Sequence, residues 1–442
     1  MAGTMKARTV LAALLASGTL LDSAIAEAQT PLAPAEAAEP SAGSAAAVDA
    51  AWAYYDQTLD AARAKLLASP FADTPQRRAQ ALYLISEAAV VGFNMYLGPR
   101  QDYPSMFLQP IFLNNLYGWG LPNPDFLYRW TFIDGAKTYR VWGKRNDPSF
   151  VDFQLQDGFW GDPAFKTLSN TSLDSLKLGP DGSYEIILGP TPHPGNWIKT
   201  DPNAHHSVIN LRQAIIDWAH DRPLEIHIDE LDRARGTPII YSPAEYADRL
   251  RRTADFVMHN VNFILHEDEH LSPGSTTFNT FRSLNEGAPG AQGGNPAADY
   301  QAAVFDLGKD DALIIETDIP HAKYWGVQLG DVWWQTTDYK YHQSSLNAHT
   351  AVIDHDGKLR VVLSHVDPGA PNWLDPADDD RGIIQFRWYF FTGPSATPVM
   401  IKRVKASEVR SYLPPDTPVV SPAQRRAALA ERWQGVERLY GQ

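Results

Sequence analysis

The chain has 442 residues, a formal net charge of −14 and no cysteine. With no basic cluster to offset that balance, nucleic-acid binding and adhesion to anionic lipid are disfavoured, and the missing cysteine excludes disulfides and a lipoprotein anchor. Thirteen Trp, 18 Tyr and 18 Phe supply ample core and stacking surface for the part that folds.

In chain order, Lys6 and Arg8 precede an apolar run from Thr9 to Leu21. The small-residue options Ala24-Ile25-Ala26 and Ala26-Glu27-Ala28 then suit a signal peptidase. Residues 1–28 therefore read as a Sec-type signal, and the expected location is periplasmic or secreted. No later stretch reaches the roughly 20 continuous apolar residues of a membrane span, so no stable membrane insertion is expected. Residues 29–48 are rich in Ala, Pro, Glu and Ser, cannot bury enough apolar surface to offset chain entropy, and are expected to form a flexible linker.

Residues 49–122 are expected to form a helical cap. In Asp49 to Ser69 the spacing of Trp52, Tyr55, Leu59 and Leu66 predicts an amphipathic helix with those residues on its buried face. A second helix is predicted where Thr74 offers an N-cap and Pro75 occupies the first helical position.

Beyond residue 122 the chain repeats itself at an offset of about 175 residues. "FQLQDGFW" from Phe153 answers "VQLGDVWW" from Val327, and "DGSYEIILGP" from Asp181 answers "DGKLRVVLSH" from Asp356. "GNW" from Gly195 and "PNW" from Pro371 follow, then "RPLEIHIDEL" and "TPVMIKRVKA", and finally "SPAE" at Ser242 and "SPAQ" at Ser421. The last pair are capping boxes, each opening a helix. Period-2 alternation and Asp-Gly, Pro-Gly and Gly-Pro turns predict short antiparallel strands, which usually close into a sandwich or jelly roll. The expected fold is mainly β with α: the N-terminal helical cap plus two duplicated antiparallel β-sandwich or jelly-roll-like modules, at 123–275 and 276–442, each followed by a helix.

The helix begun at Ser242 ends in "HEDEH", an H-E-x-x-H pattern. His266 and His270, one turn apart, could share a zinc ion with Glu267 as general base. His259 lies about 10 Å along the axis from His266, too far to join them. The same pattern arises at any acidic, histidine-bearing helix end, and that is the expected reading; no cofactor is predicted, with zinc the alternative.

Polar and aromatic residues concentrate in the second module. Trp333, Trp334, Tyr339 and Trp373 are candidates for stacking on a ligand, with Asp338, Asn372, Asp375 and Arg387 as polar contacts, and the nearby His365 and Asp367 for proton transfer. Within this region "AKYWGVQLGDVWWQTTDYKYHQSSLNAH", "VVLSHVDPGAPNWLD" and "GIIQFRW" closely resemble the bacterial domain-of-unknown-function family 1214. The upstream "NPDFLYRWTFIDGAKTYRVWGKR" and "GNWIKTD" extend the likeness back to about Asn123. That family is related to, or paired with, family 1254, whose signature is not found here. The resemblance implies a β-sandwich and hands over no reaction.

The functional expectation is an exported protein recognising a small molecule or glycan, with hydrolase or lyase chemistry as an option in the second module. A non-catalytic periplasmic binding or scaffold protein is one alternative; a zinc-dependent hydrolase built on HEDEH is the other. Nothing in the sequence specifies an oligomeric state.

Overall fold

The computed structural model describes residues 43–440 except 109–110, 113–114, 117, 164, 232–240, 286–293, 320 and 394–397. The expected signal and residues 29–42 of the expected linker lie outside the described residues. Helix α1 (Ala45–Ala68) starts within the expected linker, where the Ser44 side chain caps Ala47 N. Helix α2 (Pro75–Gly92) opens as predicted, with Thr74 accepting from Arg77 N and Pro75 in the first turn.

The buried face of α1 only partly matches the predicted one: Leu66 is buried as expected, Tyr55 and Leu59 are half-buried, and Trp52 is not. Ala47, Ala51, Thr58, Ala62 and Leu66 are buried, whereas Trp52 is 46% exposed. Ala51 packs against Ala247 and Leu250 of helix α3 (Pro243–Leu271). Small side chains let the two helix axes approach closely, which decides the face over the larger apolar residues. Helix α3 buries a stripe of Leu250, Ala254, Val257, Val261 and Ile264 at helical spacing. It also buries Phe256, Asn260, Glu267 and Asp268, because it lies between the other two helices and the β modules.

The first module contains β1 (Phe107–Leu108), β2 (Ile111–Phe112), β3 (Asn115–Leu116), β4 (Phe126–Ile133), β5 (Tyr139–Lys144), β6 (Val151–Asp157), β7 (Lys166–Ser172), β8 (Ser183–Gly189), β9 (Trp197–Lys199), β10 (Ser207–Ala214) and β11 (Glu225–Glu230). The second contains β12 (Arg282–Ser283), β13 (Ala298–Asp306), β14 (Asp311–Asp318), β15 (Tyr324–Asp331), β16 (Ser345–Asn347), β17 (Lys358–Ser364), β18 (Trp373–Leu374), β19 (Arg381–Tyr389) and β20 (Val399–Lys405), before helix α4 (Pro422–Tyr440).

Apart from the β2–β3 hairpin, which has no counterpart among the described residues, the duplication holds strand for strand. A five-stranded sheet β1-β4-β10-β6-β7 in the first module has its counterpart in β12-β13-β19-β15-β16, and the four-stranded β11-β5-β8-β9 in β20-β14-β17-β18. Pairing is antiparallel except for β8–β9 and β17–β18, which are short and parallel in both copies. Each pair of sheets encloses its own core, around Phe153, Leu155 and Ile186 in one and Val327, Leu329 and Val361 in the other.

The outer faces of the two five-stranded sheets are also buried, against each other and the helices. Phe126 and Phe150 cluster with Tyr324 and Tyr389 in one apolar contact between modules; Trp130 and Phe132 join Val304 and Ile383 in another, beneath the helical layer. Between these patches lies a reciprocal clasp. Gln154 of β6 donates to Gly294 O at 3.0 Å on the segment entering the second module, while Gln328 of β15 donates to Pro122 O at 2.9 Å on the segment entering the first. Each Gln is held in turn by an arginine, Arg212 on Gln154 and Arg387 on Gln328. The clasped segments share an N-P-x-x-x-Y pattern: Asn123 N donates to the Tyr128 hydroxyl and Asn295 N to the Tyr300 hydroxyl.

Candidate functional site

Where the two modules meet α4, residues from all three wall a cavity of about 280 Å³. The loop entering β4 supplies Asp125, the loop after β10 supplies Asp217 and Trp218, β16 and its following turn supply Ser345, Asn347 and His349, and α4 supplies Glu431 and Arg432.

Asp125 is the floor. Its Oδ1 accepts from Trp218 Nε1 at 2.9 Å and Asn347 Nδ2 at 2.7 Å, and its Oδ2 accepts from the Tyr324 hydroxyl at 2.6 Å. One carboxyl of the first module thus ties down two side chains of the second. Burial pushes it above the usual carboxylate range, although all three hydrogen bonds favour the charged form. Asn347 is held firmly, since its Oδ1 accepts from the His349 and Thr350 backbone amides, closing the turn after β16.

Arg432 projects from α4 over the Trp218 ring, 4.6 Å from the centroid. Its Nε donates to Tyr339 O and its Nη2 to the Ser345 hydroxyl, whereas Nη1 makes no hydrogen bond to a described residue. Burial lowers its pKa to about 10, against the opposing pull of Asp125. At the rim, Asp217 accepts a hydrogen bond from His220 and lies 3.8 Å from His349 Nε2. Burial alone would raise the Asp217 carboxyl, but the two histidines outweigh it and hold it low. The cavity therefore offers a cationic edge, a carboxylate paired with imidazole, and an aromatic wall.

The candidates named from the sequence are placed elsewhere. Trp333 is fully buried, its indole donating to Arg77 O at 2.8 Å, and Trp334 donates to Asp268 Oδ1 at 3.2 Å. They occupy the positions of Phe159 and Trp160 in the first module, and all four join the core beneath the helices. Their ring faces are committed to that packing. Asn372 bonds backbone groups of Val352 and Arg360, Trp373 donates to Ser364 O, and Asp338 accepts from the Lys340 and Tyr341 amides. Asp375 bonds His342, and Arg387 serves the clasp. Tyr339 comes nearest, packing edge-on against Trp218 and lending its carbonyl to Arg432. Asp367 is paired with Arg425 of α4 at 2.9 Å, anchoring that helix. His365 buries Nε2 with no hydrogen-bond partner among the described residues.

HEDEH is not the solvated helix end expected. His266 and Glu269 are exposed, but Glu267 and Asp268 are buried against the second module. Burial pushes the Asp268 carboxyl well above its ordinary value. His270 Nε2 lies 2.9 Å from Ser283 O, so the ring donates there. Among the described residues, no three His, Asp or Glu side chains gather as a metal-ligand set.

Sequence reasoning passed over Asp125, Asp217, Trp218 and Arg432. Asn347 and His349 sit inside the quoted "SSLNAH" motif, and Asp125 follows the repeated Asn-Pro, so part of a signal was there. A family model described as "Protein of unknown function (DUF1214)" matches residues 131–212 and again 296–391, once in each module. Both modules resemble DUF1214. An uncharacterised protein from Burkholderia cenocepacia, 26% identical, superposes with a TM-score of 0.75 over 82% of this chain and 99% of its own. A protein from Vibrio parahaemolyticus, 14% identical, reaches only 0.41 over 72% of this chain and 97% of its own. No curated protein matches. Arg432 and Asp125 lie outside both DUF1214 matches, although the cavity forms where the two matched modules abut.

Proposed function

We propose that this protein recognises a small polar molecule in the cavity between its two modules and α4. The observation that carries the reading is the lining: a buried carboxyl, a guanidinium with an uncommitted edge and a His–Asp pair converge on one space of about 280 Å³. Such convergence of charged groups with shifted pKa values in a cleft is the usual mark of a binding or active site. At that volume the ligand is smaller than the drug-sized molecules that fill pockets of roughly 300–1,000 Å³. The signal expected from the sequence of residues 1–28 adds export to the reading, and no helix among the described residues is long and apolar enough to cross a membrane.

The test is a thermal-shift screen of small sugars, amino acids and organic acids, repeated with His349→Ala and Arg432→Gln. A ligand of this cavity raises the wild-type melting temperature and loses most of that effect in both variants. Ligands that stabilise wild type and variants equally would remove the cavity from the function. Following each hit by NMR separates the classes: consumption indicates hydrolase or lyase chemistry, with the His349–Asp217 pair as proton carrier, and persistence indicates a binding protein.

A further inference from the structure

Resting on the reading of this cavity as a binding site, we propose that its ligand is a small zwitterion of the α-amino-acid type, with the carboxylate on Arg432 and the ammonium at Asp217. The lining separates its charges. Arg432 presents Nη1, while its other two donors hold Tyr339 O and the Ser345 hydroxyl and so fix the direction of the free edge. No carboxylate of a described residue forms an ion pair with this guanidinium, so its charge is left for a carboxylate that enters. Asp217 supplies the opposite sign at the rim, 3.8 Å from His349 Nε2, and Glu431 is a second acidic residue of the lining.

Asp125 does not compete for the incoming ammonium, because it is buried at the floor under hydrogen bonds from Trp218, Asn347 and Tyr324. Asp217, although it accepts from the Ala219 and His220 amides and the His220 ring, stays partly exposed at the rim. A neutral sugar would bring no anion to the Nη1 edge of Arg432, and a simple carboxylate would meet Asp217 with no cation. A molecule carrying both charges would answer both ends, and one with the charges on adjacent carbons is small enough for the available volume. Its side chain would then lie along the apolar part of the wall formed by Ile216, Leu346 and Ala428.

The experiment is calorimetric titration of the full chain with L-methionine, L-methionine methyl ester, N-acetyl-L-methionine and glucose, each with wild type, Arg432→Gln and Asp217→Asn. The amino acid should bind, and the ester and the N-acetyl compound should each bind at least about tenfold more weakly, since each lacks one charge. Arg432→Gln should erase the preference over the ester, and Asp217→Asn the preference over the N-acetyl compound. Asp217 is at the rim, so its variant keeps the test intact should Arg432→Gln fold poorly. An ester, N-acetyl compound or sugar that binds as well as the amino acid, and weakens in either variant, would overturn the zwitterion and leave the cavity standing. Binding indifferent to both substitutions would overturn the cavity itself. No binding by methionine or by a panel of the other amino acids would overturn the proposal.

Discussion

The two modules share a strand order and a clasp, yet the outer faces they turn toward each other are chemically unequal. Tyr128, Arg212 and Gln154 in the first correspond to Tyr300, Arg387 and Gln328 in the second. Beside Arg212, however, stands Asp152, and beside Arg387 stands Gly326. A Cβ at Gly326 would collide with the Tyr324 hydroxyl, which is already committed to Asp125. Room given to that bond in one copy is room denied to a carboxylate. Duplication conserves the frame, and local collisions decide which copy can carry a charge.

The largest effect should come from breaking the aromatic positions common to both copies. Trp333→Ala and Phe159→Ala should each cost about 3–5 kcal/mol in urea denaturation, because each empties a core site beneath the helices. A loss confined to ligand binding, with stability intact, would restore Trp333 as a stacking residue.

The unequal arginines come next. Arg212→Met leaves Asp152 buried with only the neutral amides of Asn170 and Asn295 among its described close partners, and breaking such a pair costs about 3–5 kcal/mol. Arg387→Met removes a cation that, among the described residues, hydrogen-bonds the neutral groups of Gln328 and Leu121 and lies over the Tyr300 ring, and should cost about 1–3 kcal/mol. Burial raises Asp152 to about 6 despite Arg212. At pH 5 it is protonated, so the gap between the two variants should narrow there and widen at pH 7. Equal costs at both pH values would mean that the extra carboxylate makes no difference.

The second module also carries a pH signature. Burial pushes Asp331 up to about 8 and Asp379 to about 6, so the folded chain holds protons that the unfolded chain releases near 3.8. With folded pKa values above unfolded ones, stability is fullest below about pH 4 in these groups and declines as pH rises toward about 8. Asp331→Asn should flatten the decline between pH 6 and 8, an effect on the order of a few kcal/mol. An unchanged slope would place the burden on other groups.

The smallest test compares the caps. Ser242 accepts from Glu245 N at 3.2 Å and Ser421 from Gln424 N at 3.3 Å, so Ser→Ala at either should cost about 1 kcal/mol. The loss at Ser242 should appear in global unfolding, since α3 is central. At Ser421 it should appear first as faster amide exchange in α4, whose Arg432 would then hold ligand less well.

Much of the frame was legible because it repeats. The landmarks from Phe153 to Ser421 paired two copies, and the capping boxes at Ser242 and Ser421 located their helices. The site was less legible. Trp333 and Trp373 drew notice as aromatic residues in a polar stretch, but nothing local distinguishes a ring packed under a helix from one facing a ligand. Trp52 misled in the same way: its spacing marked a face, and the close approach of α1 to α3 chose the alanines instead. Asp125 and Arg432 are 307 positions apart in the chain, and no periodicity links them.

By itself the sequence determined the duplicated β architecture, the helix starts and the likeness to DUF1214, because alternation, turn chemistry and caps act over a few residues. Only the tertiary structure decided that Asp125, Asn347 and Arg432 share a cavity and that Arg387 holds a clasp. Those outcomes depend on how two similar sheets and a distant helix pack, and packing is settled by volume and charge summed across the whole interface.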